Sequence, residues 1–239
     1  DKWSFSGGLR WEESGTEGTS LTQNETRTRN ISKFFPSAAV TRKLTDELSA
    51  NVAYSYRIQR PSYSSLNSFV YYYDPFTFEE GNPNLKPAFT NSFQFNLTYE
   101  DQPFFSLGYK ETTDALFEII TQNDASAETA RSVINLAKNN NFSASLFGPL
   151  NFVKGFDGFT GVIVNYNEYQ SERLTPALDL SNWSMTWYTS AEYQLPWGIN
   201  SEISGYYTTG GLEGQIEYKW IAGIDVALSK KFLNDQLKV

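Results

Sequence analysis

The amino-acid sequence predicts an all-β protein that forms an antiparallel transmembrane β-barrel. Three observations favour this fold class. Many segments alternate apolar and polar side chains, the connections between them alternate between short and long, and aromatic residues are abundant although the mean hydropathy is low. Successive side chains of a strand point to opposite faces, so a strand that meets lipid on one face shows this alternation.

The segment Leu48–Arg60 is the first element that the alternation predicts, and the rest of the chain is organised around it. Thirteen residues at about 3.3 Å each, tilted by about 45°, rise roughly 30 Å, which is the thickness of a bilayer's hydrocarbon core. One face of this strand is apolar and the other is polar: Leu48, Ala50, Val52, Tyr54, Tyr56 and Ile58 against Ser49, Asn51, Ala53, Ser55, Arg57 and Gln59.

The composition fits a barrel but also fits a soluble protein. Aromatic residues make up 16% of the 239 residues, and the mean hydropathy is −0.45. A barrel strand exposes only every second residue to lipid, so its mean hydropathy stays low while aromatic girdles add Tyr, Trp and Phe. The sequence contains no run of 18 apolar residues, so it predicts no transmembrane helix. By composition alone, a soluble aromatic-rich β-sandwich or adhesin fits equally well.

The same alternation predicts about ten strands, with an eleventh starting after Phe232. The polar segment Ser14–Ile31 is predicted to be a solvated loop, and Lys138–Asn141 a bulge or a part of a strand above the membrane. A helical turn is allowed only in Ala125–Ala137. The predicted strands are Lys2–Glu13, Phe34–Leu44, Leu48–Arg60, Thr90–Glu100, Phe105–Thr121, Arg131–Phe147, Phe159–Tyr169, Trp183–Leu195, Gly198–Thr208 and Gln215–Phe232.

The connections between these strands sort into two alternating classes. Those after Leu44, Glu100 and Leu195 are a few residues long, whereas those after Glu13 and Arg60 are long. Outer-membrane barrels have short turns at the periplasmic rim and longer loops outside. This alternation favours the barrel over the β-sandwich.

The long connection after Arg60 carries a family resemblance. It contains Arg60-Pro61-Ser62-Tyr63, Leu66-Asn67 and Gly81-Asn82-Pro83-Asn84-Leu85-Lys86-Pro87. This pattern resembles the barrel of TonB-dependent outer-membrane receptors, particularly their Bacteroidetes branch. The resemblance implies that residues 1–239 are a partial barrel domain without a plug domain, from the C-terminal half of a barrel of about 22 strands.

Such a partial barrel is not expected to close by itself, so the first strand and the Gln215–Phe232 strand should not pair. The resemblance also implies the partners. These are outer-membrane lipid, the remainder of the barrel with its plug domain, the TonB complex acting through that plug, and a surface lipoprotein as a further candidate.

Composition also limits the chemistry. The chain has no His and no Cys, which removes the commonest general base, the thiol nucleophile and most transition-metal ligands. We therefore expect no enzymatic activity, no metal site and no cofactor. The net charge of −8, with Lys and Arg scattered along the chain, argues against a nucleic-acid partner.

Two groups of site residues follow. The first is the aromatic run of the long connection, with two interpretations: a stacking platform for a ligand, or the packing core of the loop, which a loop of this length favours. The second faces the lumen or plug by alternation. The aromatic candidates are Phe69, Tyr71, Tyr72, Tyr73 and Phe76, and the lumen candidates are Arg10, Arg57, Gln59, Glu217, Lys219 and Asp225.

The predicted function is a section of a TonB-dependent transporter in the bacterial outer membrane. Its ligand would be a bulky nutrient such as a ferric chelate, cobalamin, a glycan or a peptide. The alternatives are a non-transporting surface or structural barrel and a soluble carbohydrate-binding β-protein.

Overall fold

The computed structural model describes residues 2–20, 25–151, 155–172, 177–213, 215–232 and 237–238. The predicted all-β, antiparallel fold is confirmed. One short helix, α1 (Tyr63–Leu66), and one 3-10 turn, Pro196–Gly198, interrupt the strands. The strands are β1 (Trp3–Ser20), β2 (Glu25–Lys43), β3 (Leu48–Gln59), β4 (Val70–Asp74), β5 (Thr77–Glu80), β6 (Ala88–Tyr99), β7 (Gln102–Asn123), β8 (Glu128–Pro149), β9 (Phe156–Ser171), β10 (Leu178–Leu195), β11 (Ile199–Thr208), β12 (Gly211–Glu213), β13 (Ile216–Tyr218), β14 (Ile221–Phe232) and β15 (Leu237–Lys238).

The main sheet follows the order of the chain. Its neighbours are β1-β2-β3-β6-β7-β8-β9-β10-β11-β14-β15, all antiparallel. The β4–β5 hairpin lies off this path, and β12 and β13 form a separate two-stranded sheet. Within the described residues, β1 and β14 lie apart in the sheet and do not pair. The expectation that these two strands are not neighbours is therefore confirmed.

Directly paired residues share a face, so the register separates two kinds of surface. The apolar face suits hydrocarbon, and the polar face suits a lumen. One apolar row runs Val40, Val52, Phe95, Leu107, Ala144, Val164 and Met185, and one polar row runs Ser37, Ser55, Ser92, Lys110, Asn141, Asn167 and Asn182.

The strands are long enough for this role. β3 and β6 have 12 residues each, which at a tilt of about 45° rise roughly 28 Å. β7 and β8 have 22 residues each and therefore continue beyond a hydrocarbon layer. Among the described residues, no helix is long and apolar enough to cross a membrane.

The predicted loop at Ser14–Ile31 is wrong over Ser14–Ser20 and Glu25–Ile31, which belong to strands, while its residues 21–24 lie outside the described residues. β1 continues to Ser20 and β2 starts at Glu25, and the two strands pair without a register shift from Trp3↔Arg42 to Ser20↔Glu25. Above the membrane both faces of a hairpin meet water, so the apolar periodicity disappears although the backbone pairing continues. Side chains such as Thr19 and Thr26, whose hydroxyl oxygens lie 3.1 Å apart, keep the high strand propensity of β-branched residues.

The predicted continuous strand Gln215–Phe232 is also wrong. The strand is interrupted at residues 219–220. β13 pairs with β12 instead of continuing into β14. Alternation persists across the break, because a hairpin and a strand have the same period of two. The side-chain pattern alone therefore does not reveal the interruption.

Two smaller predictions are also corrected. For Lys138–Asn141 the bulge is wrong, since these residues pair in continuous register with residues 110–113. The other alternative, a part of the strand above the membrane, stays a prediction. The irregularity lies beside this segment, where Asp114 has φ +50° and is skipped by the ladder. The helical turn lies at Tyr63–Leu66 rather than Ala125–Ala137, and the Ser62 hydroxyl caps it by accepting from the Ser65 N–H at 3.0 Å.

Candidate ligand site on the long-connection side

The largest connection of the sheet joins β3 to β6, and we call its residues 60–87 the cap. The cap contains α1 and the β4–β5 hairpin. β8 pairs with β9 only from Lys138 to Pro149, so the upper part of β8 offers an open edge. β5 takes this edge as a parallel strand, with Phe78 opposite Ala130. The cap thus reaches across to a strand that is three positions away from β3 in the sheet.

A glycine allows the two halves of the cap to meet. A Cβ at Gly81 would lie 1.9 Å from the Asn67 carbonyl oxygen and 2.9 Å from that of Ser64. The next N–H, that of Asn82, donates to the Ser65 carbonyl at 2.7 Å. Only glycine permits so close a backbone approach. The Leu66-Asn67 and Gly81-Asn82 motifs therefore interlock.

Amide side chains fix the cap to β8. Asn82 Nδ2 donates to the Val133 carbonyl at 3.1 Å. Asn135 Oδ1 accepts from the Lys86 N–H at 2.7 Å, and its Nδ2 donates to the Lys86 and Asp114 carbonyls at 2.9 and 2.7 Å. Leu85 is fully buried between these bonds. The Gly81–Pro87 motif is therefore a structural clamp for the cap.

The β1–β2 hairpin holds the cap from the other side. Arg27 Nη1 donates to Asn84 Oδ1 at 2.5 Å, and Arg29 Nη2 donates to the Pro83 carbonyl. Arg60 pairs with Glu12 at 2.5 Å, and Glu12 also pairs with Arg10 at 2.7 Å. Three guanidinium groups thus join the hairpin to the cap.

A cleft of about 1010 Å³ lies between the β1–β2 hairpin and the cap. Ligand pockets commonly have volumes of about 300 to 1,000 Å³, so this one suits a bulky ligand. Three arginines and one glutamate line it, together with aromatic and proline rings. The lining residues used below are Glu17, Arg27, Arg29, Arg60, Tyr63 and Phe69.

The aromatic candidates of the cap are exposed rather than buried. Phe69, Tyr71, Tyr72, Tyr73 and Phe76 are between 52% and 74% exposed in this chain. In this chain the five rings are therefore not buried as a core, and both interpretations of the aromatic run stay predictions. Tyr71 and Tyr73 meet edge to face at 5.1 Å, and of the five only Phe69 lines the cleft.

The charges of the β4–β5 hairpin stabilise its turn. Tyr73 Oη donates to Glu79 Oε2 at 2.6 Å, and this hydrogen bond raises the pKa of Tyr73, because deprotonation would lose it beside a carboxylate. Asp74 Oδ1 accepts from the Phe76 and Thr77 N–H groups at 2.8 and 2.9 Å. These bonds hold the pKa of Asp74 below its usual value of 3.8.

Four of the lumen candidates lie on strands β1, β3 and β14 of the main sheet, one lies in the β12–β13 hairpin, and one lies between β13 and β14. Arg57 lines a shallow cavity of about 380 Å³ with Ser37 and Ser92 of the polar face, and Asp225 pairs with Ser204. Arg10 lies over the Phe35 ring at 5.3 Å. The remaining positions are Gln59, opposite Ala88, Glu217, opposite Leu212 in the separate β12–β13 hairpin, and Lys219, in the break before β14.

The sequence interpretation missed the arginines of the cleft. Arg27 and Arg29 fall in the segment that was predicted to be a loop, where no face can be assigned. Alternate positions of one hairpin face, Arg27, Arg29 and Ile31, are the signal that could have identified them. Arg60 was recognised as part of the motif but not as a cleft residue.

The family of the chain follows from a comparison with family models. A model for an outer membrane protein beta-barrel family matches residues 1–239. The chain belongs to this family. The outer-membrane localisation predicted from the sequence is thereby confirmed, and a soluble carbohydrate-binding protein is excluded. No curated protein sequence matches the chain.

Solved structures of an iron transporter and a copper transporter share the fold of this chain. The FrpB iron transporter from Neisseria meningitidis superposes with a TM-score of 0.64 at 18% identity, covering 100% of this chain and 37% of FrpB. The copper transporter OprC gives 0.62 at 10% identity, covering 98% and 38%.

A ferric enterobactin receptor mutant from Pseudomonas aeruginosa, PfeA, gives a TM-score of 0.54 at 11% identity, covering 96% of this chain and 35% of PfeA. The chain thus spans little more than a third of each of these three proteins. At these identities the likeness shows the fold, which is part of a large barrel.

Proposed function

We propose that the chain is a section of the barrel of a TonB-dependent transporter that takes up a bulky nutrient across the outer membrane. The observation that carries the proposal is the cleft between the β1–β2 hairpin and the cap. It lies on the side of the long connections, which in outer-membrane barrels is the cell exterior. The shared fold with the iron and copper transporters supports the same function.

In this proposal the chain contributes walls and an entrance rather than catalysis. The apolar face contacts lipid, while the polar face lines the lumen and contacts a plug domain. Arg57 and Asp225 are proposed to lie on that inner wall. The TonB complex acts through the plug, and a surface lipoprotein would cover the long connections.

A second candidate is a structural barrel that transports nothing. The clamp argues against it, because the cap uses a close glycine contact, buried leucine and several amide bonds to hold one wall of a large cleft open. A structural barrel has no need for such an entrance. If uptake of the nutrient is lost in cells without TonB or with a protonophore, transport is supported. Nutrient uptake that does not depend on energy contradicts it.

Cysteine labelling tests the proposed orientation. These 239 residues contain no Cys, so a single substitution adds one labelling site to this section, and the unsubstituted protein gives the background. Ser68→Cys, at the cleft, should react with a membrane-impermeant maleimide on intact cells. Asp46→Cys, in the short turn between β2 and β3, should react only after the cells are opened. The reverse pattern would place the cleft on the periplasmic side and contradict the proposal.

A further inference from the structure

We infer that the cleft between the β1–β2 hairpin and the cap binds a ring-bearing anion. This inference rests on the proposed function, since it names the ligand class of the same entrance. It combines three properties of the lining: a charge opposite to that of the whole chain, exposed aromatic rings, and a cap that is already ordered.

The charge of the lining is opposite to that of the chain. Lys and Arg number 19 against 27 Asp and Glu, a net charge of −8. The cleft instead has three arginines, Arg27, Arg29 and Arg60, against the carboxylate of Glu17 in its lining and that of Glu12, which pairs with Arg60. A concave site lined by one sign of charge concentrates ligands of the opposite sign. An anion is therefore favoured over a cation or a neutral ligand.

The arginine guanidinium groups are oriented by the bonds that join the cap to the β1–β2 hairpin. A guanidinium carries five N–H donors in a planar fork, and the bond from Arg29 to the Pro83 carbonyl occupies one of them. Arg60 is held against Glu12, and Glu12 shares its charge with Arg10. Planar donors fixed in this way suit carboxylate, sulfonate or catecholate oxygens, which accept such forks bidentately.

Two rings stand at the same cleft. Tyr63 is 87% exposed and Phe69 is 74% exposed, although apolar rings of this size normally gain free energy from burial. Ring faces stack on other rings at favourable offsets. A ligand with aromatic or other flat rings would cover them, and a small inorganic anion would not.

The cleft is ordered before any ligand arrives. Pro61, Pro83 and Pro87 belong to its lining, and each fixes its own backbone φ. The close contact at Gly81 and the Asn135 bonds hold the same residues in place. A pre-ordered wall lowers the entropy lost on binding, so it favours one ligand shape.

Calorimetric titration of the intact purified protein in detergent tests the inference with three defined probes. Naphthalene-1,3,6-trisulfonate is a ring-bearing trianion, citrate is a trianion without rings, and 4-methylumbelliferyl glucoside is a neutral ring compound. We expect the trisulfonate to bind at least about tenfold more tightly than either of the others. Equal binding of trisulfonate and citrate would remove the rings from the site and overturn the inference.

Paired variants separate binding from folding. Arg29→Gln should weaken trisulfonate binding by about three- to tenfold, and Glu17→Gln should strengthen it by a similar factor, a gain that misfolding does not produce. Phe69→Ser should weaken it, whereas Phe76→Ser, outside the cleft, should not. Arg131→Gln is the matched charge control, because Arg131 pairs with Glu118 on the β7–β8 hairpin.

The outcomes distinguish this inference from the proposed function. If Glu17→Gln has no effect, or if Arg131→Gln weakens binding as much as Arg29→Gln, the cleft is not the anion site. Uptake that still depends on TonB would then leave the proposed function standing. Trisulfonate binding without energy-dependent uptake would support the site and contradict the transporter.

Discussion

The wall formed by β3 and β6 and the cap between them are adjacent in the chain but are stabilised in different ways. In the wall, every second side chain except Asn91 is apolar, and each residue repeats the environment of the one two positions away. In the cap, single positions such as Gly81 and Asn135 make contacts that no neighbour repeats. A periodic environment therefore distributes stability over many residues, whereas an irregular one concentrates it in a few.

A substitution at the close contact of the cap should cause the largest loss of stability. Gly81→Val places a Cβ 1.9 Å from the Asn67 carbonyl oxygen, so the two motifs must separate, at a local cost of more than about 4 kcal/mol. Limited proteolysis should cut the cap of the variant while the barrel keeps its heat-modifiable migration on gels.

Gly18→Ala on the β1–β2 hairpin is the matched control, because a Cβ there meets no atom within 4 Å. Its cap should resist the protease as the natural protein does. A Gly81→Val protein with an intact, resistant cap would show that the contact at Gly81 does not hold the cap together.

A charge on the lipid-facing wall should have the next largest effect. Val52 is 55% exposed on the apolar face and pairs with Val40 and Phe95. Val52→Lys should cost about 2–4 kcal/mol if the position lies near the bilayer midplane. Urea unfolding from lipid vesicles measures this loss.

Gln94→Lys tests the opposite face at nearly the same height, since Gln94 pairs with Ala53, the neighbour of Val52. It should cost less than about 1 kcal/mol, because its side chain meets the aqueous or plug-filled lumen. Equal costs at the two positions would show that the faces are assigned wrongly. Ala191, on the same apolar face, is buried beneath neighbouring side chains and is a less direct probe.

The smallest effect should come from acid acting on the β4–β5 turn of the cap. The pKa of Asp74 is lowered by the Phe76 and Thr77 N–H groups, so its carboxylate stabilises the turn at a pH above its unfolded value of 3.8 and loses this contribution as the pH falls through the lower folded value. The protection factors of the Phe76 and Thr77 amides, measured relative to intrinsic exchange at each pH, should therefore fall below about pH 4. Asp74→Asn should abolish this pH dependence, and a persisting dependence would assign it to another group.

The wall formed by β3 and β6 could be predicted from the local side-chain pattern. The bounds predicted for the strand at 48–60 and for the strand at 198–208 agree with β3 and β11 to within one residue, because lipid on one side and water on the other impose a period of two along a strand. The alternation of short and long connections also follows from the sequence. It gives the sheet its order, since antiparallel neighbours in the chain pair directly across short turns.

The cap and the cleft instead depend on contacts between segments that are far apart in the chain. Asn82 bonds to Val133 and Asn135 bonds to Lys86, partners about fifty residues apart in the chain, and no local pattern encodes such a pairing. Arg27 and Arg29 reach the cleft because β2 continues above the membrane, where both faces are wet and periodicity no longer reports which side is inside. Local side-chain pattern therefore specifies structure wherever the two faces differ in solvent, and long-range hydrogen bonds specify it where they do not.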